Sequence, residues 1–395
     1  MRITGYEYNE KLLRKWQGDK GSEEKITKAL EEFLSSYNDV LRDKTRVKNF
    51  NIYAKGILGN LDRKSIEPIA LEYMGTSGVR TLQNFITRSN FNNEEMLREY
   101  QSKLGKTITS PNGMLSIDGS SFVKKGKNSV GVQRQYCGRL GKTENCQEVV
   151  FAAYAGENGY GLVDRELYIP EKWFNEDYTE LRKKCGVSEE KCFKTKNEIA
   201  LEMIRDIFKN CKLNIKWIGG DAAFGCDHKF VDSLDSLPED VSYFLGIPKS
   251  EQVFLEGEEE AVTVEAIGKN DAFPWEKVGF ATSKGVRNSE VKIVRVYNCR
   301  DATPNKESWV YIRRFSDGKI KYSTSNAPAD TEKSELHEAA TLRWPIEQCF
   351  EECKSNLGMA DFEGRSYRGF MRHLLFVMIV HLFATSLRLS LKKTK

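Results

Sequence analysis

The sequence predicts an α/β fold built in more than one domain, and three observations carry that expectation. The first third holds apolar residues at helical spacing. The middle is a series of short apolar runs of strand length, and in two of them an aspartate meets small residues. A late stretch, Thr341 to Gly358, returns to helical spacing with charges on one face. At 395 residues the chain is too long for one core, so two or three domains are expected. Hydrophobic residues are 39% and charged residues 30%, which excludes a disordered chain. The net charge is only +4, so a surface for a polyanion has to come from local clustering. The nine cysteines include no C-x-x-C pair and follow no signal peptide, which points to free thiols in a reducing, cytoplasmic compartment. Cys349 and Cys353 lie one turn apart, but with only four histidines a zinc site is not expected. The apolar run from Leu374 to Phe383 is interrupted by His381 and is too short to span a bilayer, so it reads as a buried helix with no membrane partner.

Taken in order, Glu23 to Tyr37 reads as an amphipathic helix and Phe50 to Leu58 as a second. Ser65 to Tyr73 is a helix with Ser65 as N-cap, and Met74 to Gly78 is a turn. Val79 to Arg88 is a helix with Leu82, Phe85 and Ile86 inward and Arg80, Gln83, Asn84, Thr87 and Arg88 outward. Helix, glycine turn and polar helix make the layout of a helix-turn-helix, though any helical hairpin shares it. Thr107 to Gly113 reads as a turn-rich linker and a domain boundary. Met114 to Phe122 is a strand with Asp118 inside it. A carboxylate there needs a metal, a cation or a partner, or caps a strand-end turn. From Gly119 to Thr143 there are six cations (Lys124, Lys125, Lys127, Arg134, Arg139 and Lys142) and no acid, which suits either a polyanion surface or a solvated basic hairpin.

Glu148 to Ala155 and Tyr160 to Ile169 read as strands, Asn197 to Cys211 as a helix, and Leu213 to Ile218 as a strand running into Gly219, Gly220 and Asp221. A strand end among glycines, which let a ligand approach, is a favoured binding edge of a mixed sheet. About 125 residues separate Asp221 from Glu347, more than a connection needs. Within them Val241 to Ile247, Ala261 to Ile267, Val291 to Val296 and Trp309 to Arg314 read as strands, and the acidic run Glu251 to Glu260 as a solvated loop. A helix from about Thr331 should kink or restart at Pro345. On that stretch Arg343, Glu347 and Lys354 fall within roughly 60° of one another. A carboxylate between two cations suits work on a phosphate and equally suits a surface ion-pair ladder. Beyond Glu363 the chain carries Arg365, Arg368, Arg372, Arg388, Lys392, Lys393 and Lys395, a basic face that could track DNA or be plain surface.

An aspartate on one strand, a second at a later strand end and a glutamate on a late helix are the order of a DDE nuclease with an RNase H-like fold. The wording is similar too: IDGSSFVKKGKNSVGVQRQYCGRLGKTEN ending at Asn145, GGDAAFG around Asp221, SNAP at Ser325 to Pro328, and RWPIEQCFEECKSNLGMADFEGRSYRGFMRH from Arg343 to His373. These segments resemble bacterial insertion-sequence transposases of the seven-oh-one family, relatives of the insertion-sequence-four family, from about Phe50 to Arg388. The resemblance implies an RNase H-like core in two parts, 111–225 and 331–395. It also implies a β-rich insertion at 226–330 and an all-α DNA-binding domain at 1–110. It implies Asp118, Asp221 and Glu347 as a triad holding two Mg²⁺ (Mn²⁺ as a substitute), hard-oxygen ligands for hard cations.

Arg343, Glu347 and Lys354 match three members of the wider group's tyrosine-arginine-glutamate-lysine pattern, with Arg343 and Lys354 as phosphate clamps. Ala340 stands where the tyrosine is expected. Lys124, Lys125, Lys127 and Arg134 are the DNA contacts expected beside the site. Relatives hold a flipped base on an insertion aromatic, and Trp309 and Trp275 are the candidates here by residue type, with core packing as the alternative. The expected activity is cut-and-paste transposition by a homodimer on paired terminal inverted repeats, joined to target DNA. A repurposed DNA-binding protein and a nuclease that cuts without joining are the competing readings.

Overall fold

A computed structural model describes residues 22–138, 140–282 and 285–392. Arg139, Lys393 and Lys395, three of the expected DNA-facing cations, lie outside them, as does the side chain of Lys392. From residue 22 to 108 the described chain holds helices and no strand: α1 (Ser22–Leu34), α2 (Lys44–Leu58), α3 (Ile66–Met74), α4 (Gly78–Arg88) and α5 (Asn93–Ile108). Asp43 caps α2 by accepting from Arg46 N at 2.9 Å, so that helix starts before the apolar run that marks it in the sequence. Ser65 is the N-cap of α3 without a side-chain hydrogen bond, and Gly75 ends α3 at φ 75°, a conformation that favours glycine. Helix α5 was not expected. Its signals are local: Asn92 accepts from the amides of Glu94 and Glu95, two acids suited to a helix N-terminus.

The linker after α5 leads into a 12-stranded sheet. The first strands are β1 (Gly113–Val123), β2 (Gln133–Cys137), β3 (Lys142–Gly156) and β4 (Gly159–Tyr168). Helices α6 (Thr179–Cys185) and α7 (Lys196–Asn210) follow, the latter opened by a Thr195/Glu198 capping box. Next come β5 (Ile215–Gly220), α8 (His228–Leu234) and β6 (Ser242–Ile247). Strand β3 pairs antiparallel with β1 and β4, while β1–β5 and β5–β6 are parallel. The order β4-β3-β1-β5-β6, three antiparallel strands then two parallel ones, is consistent with the RNase H-like core expected.

The insertion contributes β7 (Gln252–Phe254), β8 (Val262–Thr263), α9 (Val264–Lys269), β9 (Glu276–Thr282), β10 (Gly285–Arg300), β11 (Thr303–Arg314) and β12 (Ile320–Ser325). It is not a detached unit: β12 pairs with β6, so the insertion lengthens the same sheet. One strand expectation fails. Ala261 to Ile267 is a strand only at Val262–Thr263, because Thr263 accepts from Ala266 N at 3.2 Å and starts a helix instead.

Three helices close the chain: α10 (Lys333–Leu342), α11 (Pro345–Asn356) and α12 (Tyr367–Lys392). Pro345 stands at the first turn of α11, the expected restart. Helix α12 has 26 residues, far longer than its apolar run suggested. It is long and apolar enough to cross a membrane, yet most of it is packed inside the protein. It forms the axis of one continuous core that runs from Leu30 to Phe383, so the helices and the sheet share a core across the expected boundary. Tyr100 on α5, for example, donates to the Leu162 carbonyl on β4.

Arg372 on α12 corrects the reading of a basic DNA-facing helix. It is 1% exposed and donates to Asn93 Oδ1 (2.7 Å) and to the carbonyls of Phe85, Ile86, Ser89 and Phe91. It thereby satisfies carbonyls at the C-terminal end of α4 that would otherwise be buried alone. Arg388 is also turned inward, toward Tyr160 (3.1 Å) and Glu352 (3.8 Å). Arg365 and Arg368 are exposed.

Candidate active site

Register brings the two aspartates together. Ile117 on β1 pairs with Gly220 on β5 in parallel, so the next residues, Asp118 and Asp221, emerge side by side. Asp118 Oδ1 accepts from Gly119 N at 2.7 Å. Asp221 leaves the strand and caps the short turn Ala222–Gly225, accepting from Ala223 N at 2.9 Å. The glycines around it serve protein packing rather than ligand approach, which corrects the sequence reading. A Cβ at Gly225 would lie 1.9 Å from the Gly246 carbonyl, and one at Gly219 2.7 Å from Met114 Sδ. Gly225 lets the turn lie flat against β6, and Gly219 lets β5 lie close to β1.

Glu347 comes from the first turn of α11, on the sheet face where Phe350 meets Phe151 of β3 (5.2 Å). Arg343 ends α10 and its guanidinium lies 3.6 Å from Glu347 Oε1. Burial first and Asp221 second push the Asp118 carboxyl up to about 7, Glu347 adds to the rise, and Arg343 opposes it. These four side chains therefore share one field. Among the described residues no three His, Cys, Asp or Glu side chains are already gathered into a metal cage. The donor set still suits a divalent cation: half-buried carboxylates that repel one another gain from a positive ion between them.

The other expected residues divide. Lys354 points its ammonium at the Ser121 carbonyl (3.1 Å), on the strand of Asp118, over the Phe122 ring at 5.0 Å. Lys125, Lys127 and Arg134 are exposed around the β2–β3 hairpin. Lys124 departs from expectation: it donates inward to the Phe362 carbonyl at 2.5 Å, and burial brings its amine down to about 8. Ala340, at the place of the expected tyrosine, packs against the core. Trp309 donates to the Pro328 carbonyl (3.1 Å) with Arg295 over its ring at 5.0 Å, and Trp275 has Arg314 at 4.2 Å and Lys292 at 4.9 Å. Both are packed in the insertion, the alternative the sequence left open. A tryptophan that does stand exposed is Trp344, 59% accessible between Arg343 and Pro345. Its place in the RWP segment fits the family resemblance, but its residue type gives no sign of its exposure. The SNAP segment is structural: Asn326 Oδ1 accepts from Tyr243 N at 2.7 Å beside the β6 ladder, and Ser325 Oγ accepts from Ala327 N.

Comparison with known proteins identifies the family. Residues 36–274 match the family "DDE superfamily endonuclease" and residues 187–383 match "Transposase DDE domain". The first match includes Asp118 and Asp221, the second Asp221 and Glu347. The chain is 22% identical over 352 residues to the "Probable transposase for insertion sequence element IS701" of Microchaete diplosiphon, covering 86% of this chain and 83% of that protein. This family generally uses divalent metal ions and acts on DNA. The chain belongs to the DDE superfamily of endonucleases and transposases, and it is an enzyme of that class.

Proposed function

We propose that this protein is a transposase that cuts the terminal inverted repeats of an insertion sequence and joins the freed ends to target DNA. Asp118, Asp221 and Glu347 would hold two Mg²⁺ ions. The observation that carries this reading is the adjacent emergence of Asp118 and Asp221, with Glu347 and Arg343 felt at Asp118. Bound metal would supply a deprotonated water or 3′-hydroxyl and stabilise the leaving oxygen. Asp118 and Asp221 provide fixed oxygens from the sheet edge. Glu347, with 41% of its side chain exposed, can turn from Arg343 toward an ion. Arg343 then offers a bidentate contact to a phosphate and Lys354 a point charge. Trp344 presents a free ring face on which an unpaired base could stack. The N-terminal helices, with α4 as the polar helix of the pair, would bind the repeats, and Lys125, Lys127 and Arg134 the flanking backbone. Action as a homodimer on paired ends follows from the resemblance.

Incubation with DNA that borders its own gene and a target plasmid tests the proposal. Cleaved ends and strand-transfer products in Mg²⁺, both lost in Asp118→Asn, are expected. Cleavage without transfer would replace the reading by a non-joining nuclease, and end-specific binding with neither product by a repurposed DNA-binding protein.

A further inference from the structure

The insertion brings a cation of its own to the catalytic edge. Gly220 pairs with Leu245, and Leu245 pairs with Thr324, so β12 lies in register with the strand that ends at Asp221. Lys321 lies three residues from Thr324, toward the edge where Asp221 emerges. Side chains alternate across a sheet, and pairing carries the face from strand to strand. Ser116 pairs with Gly219, Gly219 with Phe244 and Phe244 with Ser325. Asp118 therefore shares a face with Ser325, Ser323 and Lys321. That face is also the one on which Tyr311 of β11 meets His337 of α10 (2.9 Å).

Opposite Lys321 on β11 stands Arg313. Its guanidinium lies 3.5 Å from the centre of the Phe280 ring and 4.5 Å from that of Phe315, and its Nε donates to Ser289 Oγ at 3.2 Å. Neither Arg313 nor Lys321 has an acidic partner within ion-pair distance among the described residues. Arg313, half-buried between rings with no acidic partner, is held at a cost that a phosphate would remove, and the exposed Lys321 beside it is open to the same ligand. The Lys321 amine is held below its ordinary value by burial and then by Arg343, with Glu347 acting in the opposite sense, which agrees with its nearness to the site.

We infer that Lys321 and Arg313 form a phosphate-binding step on the insertion, which holds the DNA strand next to the phosphate presented to the carboxylates. Arg343 and Lys321 would then grip successive phosphates, and Arg313, pre-set by its rings, would take the next. Lys321 is a positioning residue in this scheme, and the inference rests on the proposed function for its ligand class. It also assigns the inserted strands a task at the site beyond widening the sheet.

Binding of a mixed-sequence 40-bp duplex, followed by fluorescence anisotropy from 50 to 200 mM salt without metal, tests it. Each phosphate contact contributes about 0.9 to the slope of log affinity against log salt. Lys321→Ala should reduce the slope by about one and weaken binding equally across sequences. Lys321→Arg should keep the wild-type slope, with melting temperatures unchanged in both. A wild-type slope in Lys321→Ala, or an equal fall in Lys321→Arg, would overturn the inference. Asp118→Asn in Mg²⁺ separates the two readings. If it still cleaves while Lys321→Ala loses slope, the catalytic assignment fails and the step stands. If cleavage is lost while Lys321→Ala is silent, the reverse holds.

Discussion

At the scale of single residues, the site is a set of charges held where they do not favour being. Asp118 takes up its proton near pH 7 in the folded chain, whereas an unfolded aspartate takes it up near 3.8. The folded state therefore binds more protons between those values. The contribution of Asp118 to stability is therefore full below about pH 4 and is lost as pH rises to about 7. In metal-free protein at pH 8, Asp118→Asn should be more stable than wild type, on the order of 2 kcal/mol. Thermal melts across pH 4–8 check this, and the gain should vanish near pH 4. Arg372 makes the opposite case. Arg372→Ala strips partners from the buried carbonyls that end α4 and from Asn93, and should cost about 3 kcal/mol or more in denaturant melts. The proposed triad and Arg343 rest on residue type and order, and the structure adds the register that sets Asp118 beside Asp221. The inward turns of Arg372 and Lys124 were not, because a sequence shows charge but not which carbonyls need a donor.

At the scale of elements, the helix carrying Glu347 is pinned to the N-terminal helices. Lys64, after α2, donates its ammonium to the carbonyls of Ile57 (2.8 Å) and Asn356, and its amide to Asp361 Oδ2 (2.8 Å). Tyr53 of α2 hydrogen-bonds His373 Nδ1 (2.9 Å), whose Nε2 lies 3.0 Å from the Gly358 carbonyl just beyond α11. Burial brings His373 down to about 4, so it stays neutral, donating from Nε2 and accepting from Tyr53. Gly358 has φ 64°, and a Cβ there would lie 2.4 Å from Lys64 Cβ. Gly358→Val should therefore loosen the end of α11 and reduce cleavage at least tenfold, with exposed Glu259→Ala as the comparison of unchanged rate, read by initial rates. The helices before the linker were legible from spacing except α5, whose cap was overlooked. The strands of the insertion were legible in part. Thr263 shows the limit: a threonine before an apolar run serves a strand or an N-cap equally well until its neighbours are placed.

At the scale of the whole molecule, packing is continuous across residue 110, whereas the insertion beyond 226 adds a second, smaller apolar cluster around Ile247, Val264, Ile267, Val294 and Ile312. One core joins α1 to α12 and to the sheet, and β12 on β6 makes the insertion part of that sheet. Pairing between strands far apart in sequence has no local signal, which is why the β-rich stretch was visible and its attachment was not. Helical ellipticity and buried-tryptophan fluorescence should accordingly lose their signals in a single coincident transition on heating. A separate early loss of helix would contradict the shared core.

That connectivity matters because the proposed site draws its three carboxylates from β1, the end of β5 and α11. The most direct test of their convergence is Mn²⁺ binding, titrated by electron paramagnetic resonance, in wild type, Asp118→Asn, Asp221→Asn and Glu347→Gln. If the three residues hold shared ions, each single variant should weaken Mn²⁺ binding by at least about tenfold. Wild-type affinity in Glu347→Gln, with affinity lost only in the aspartate variants, would contradict a three-carboxylate site.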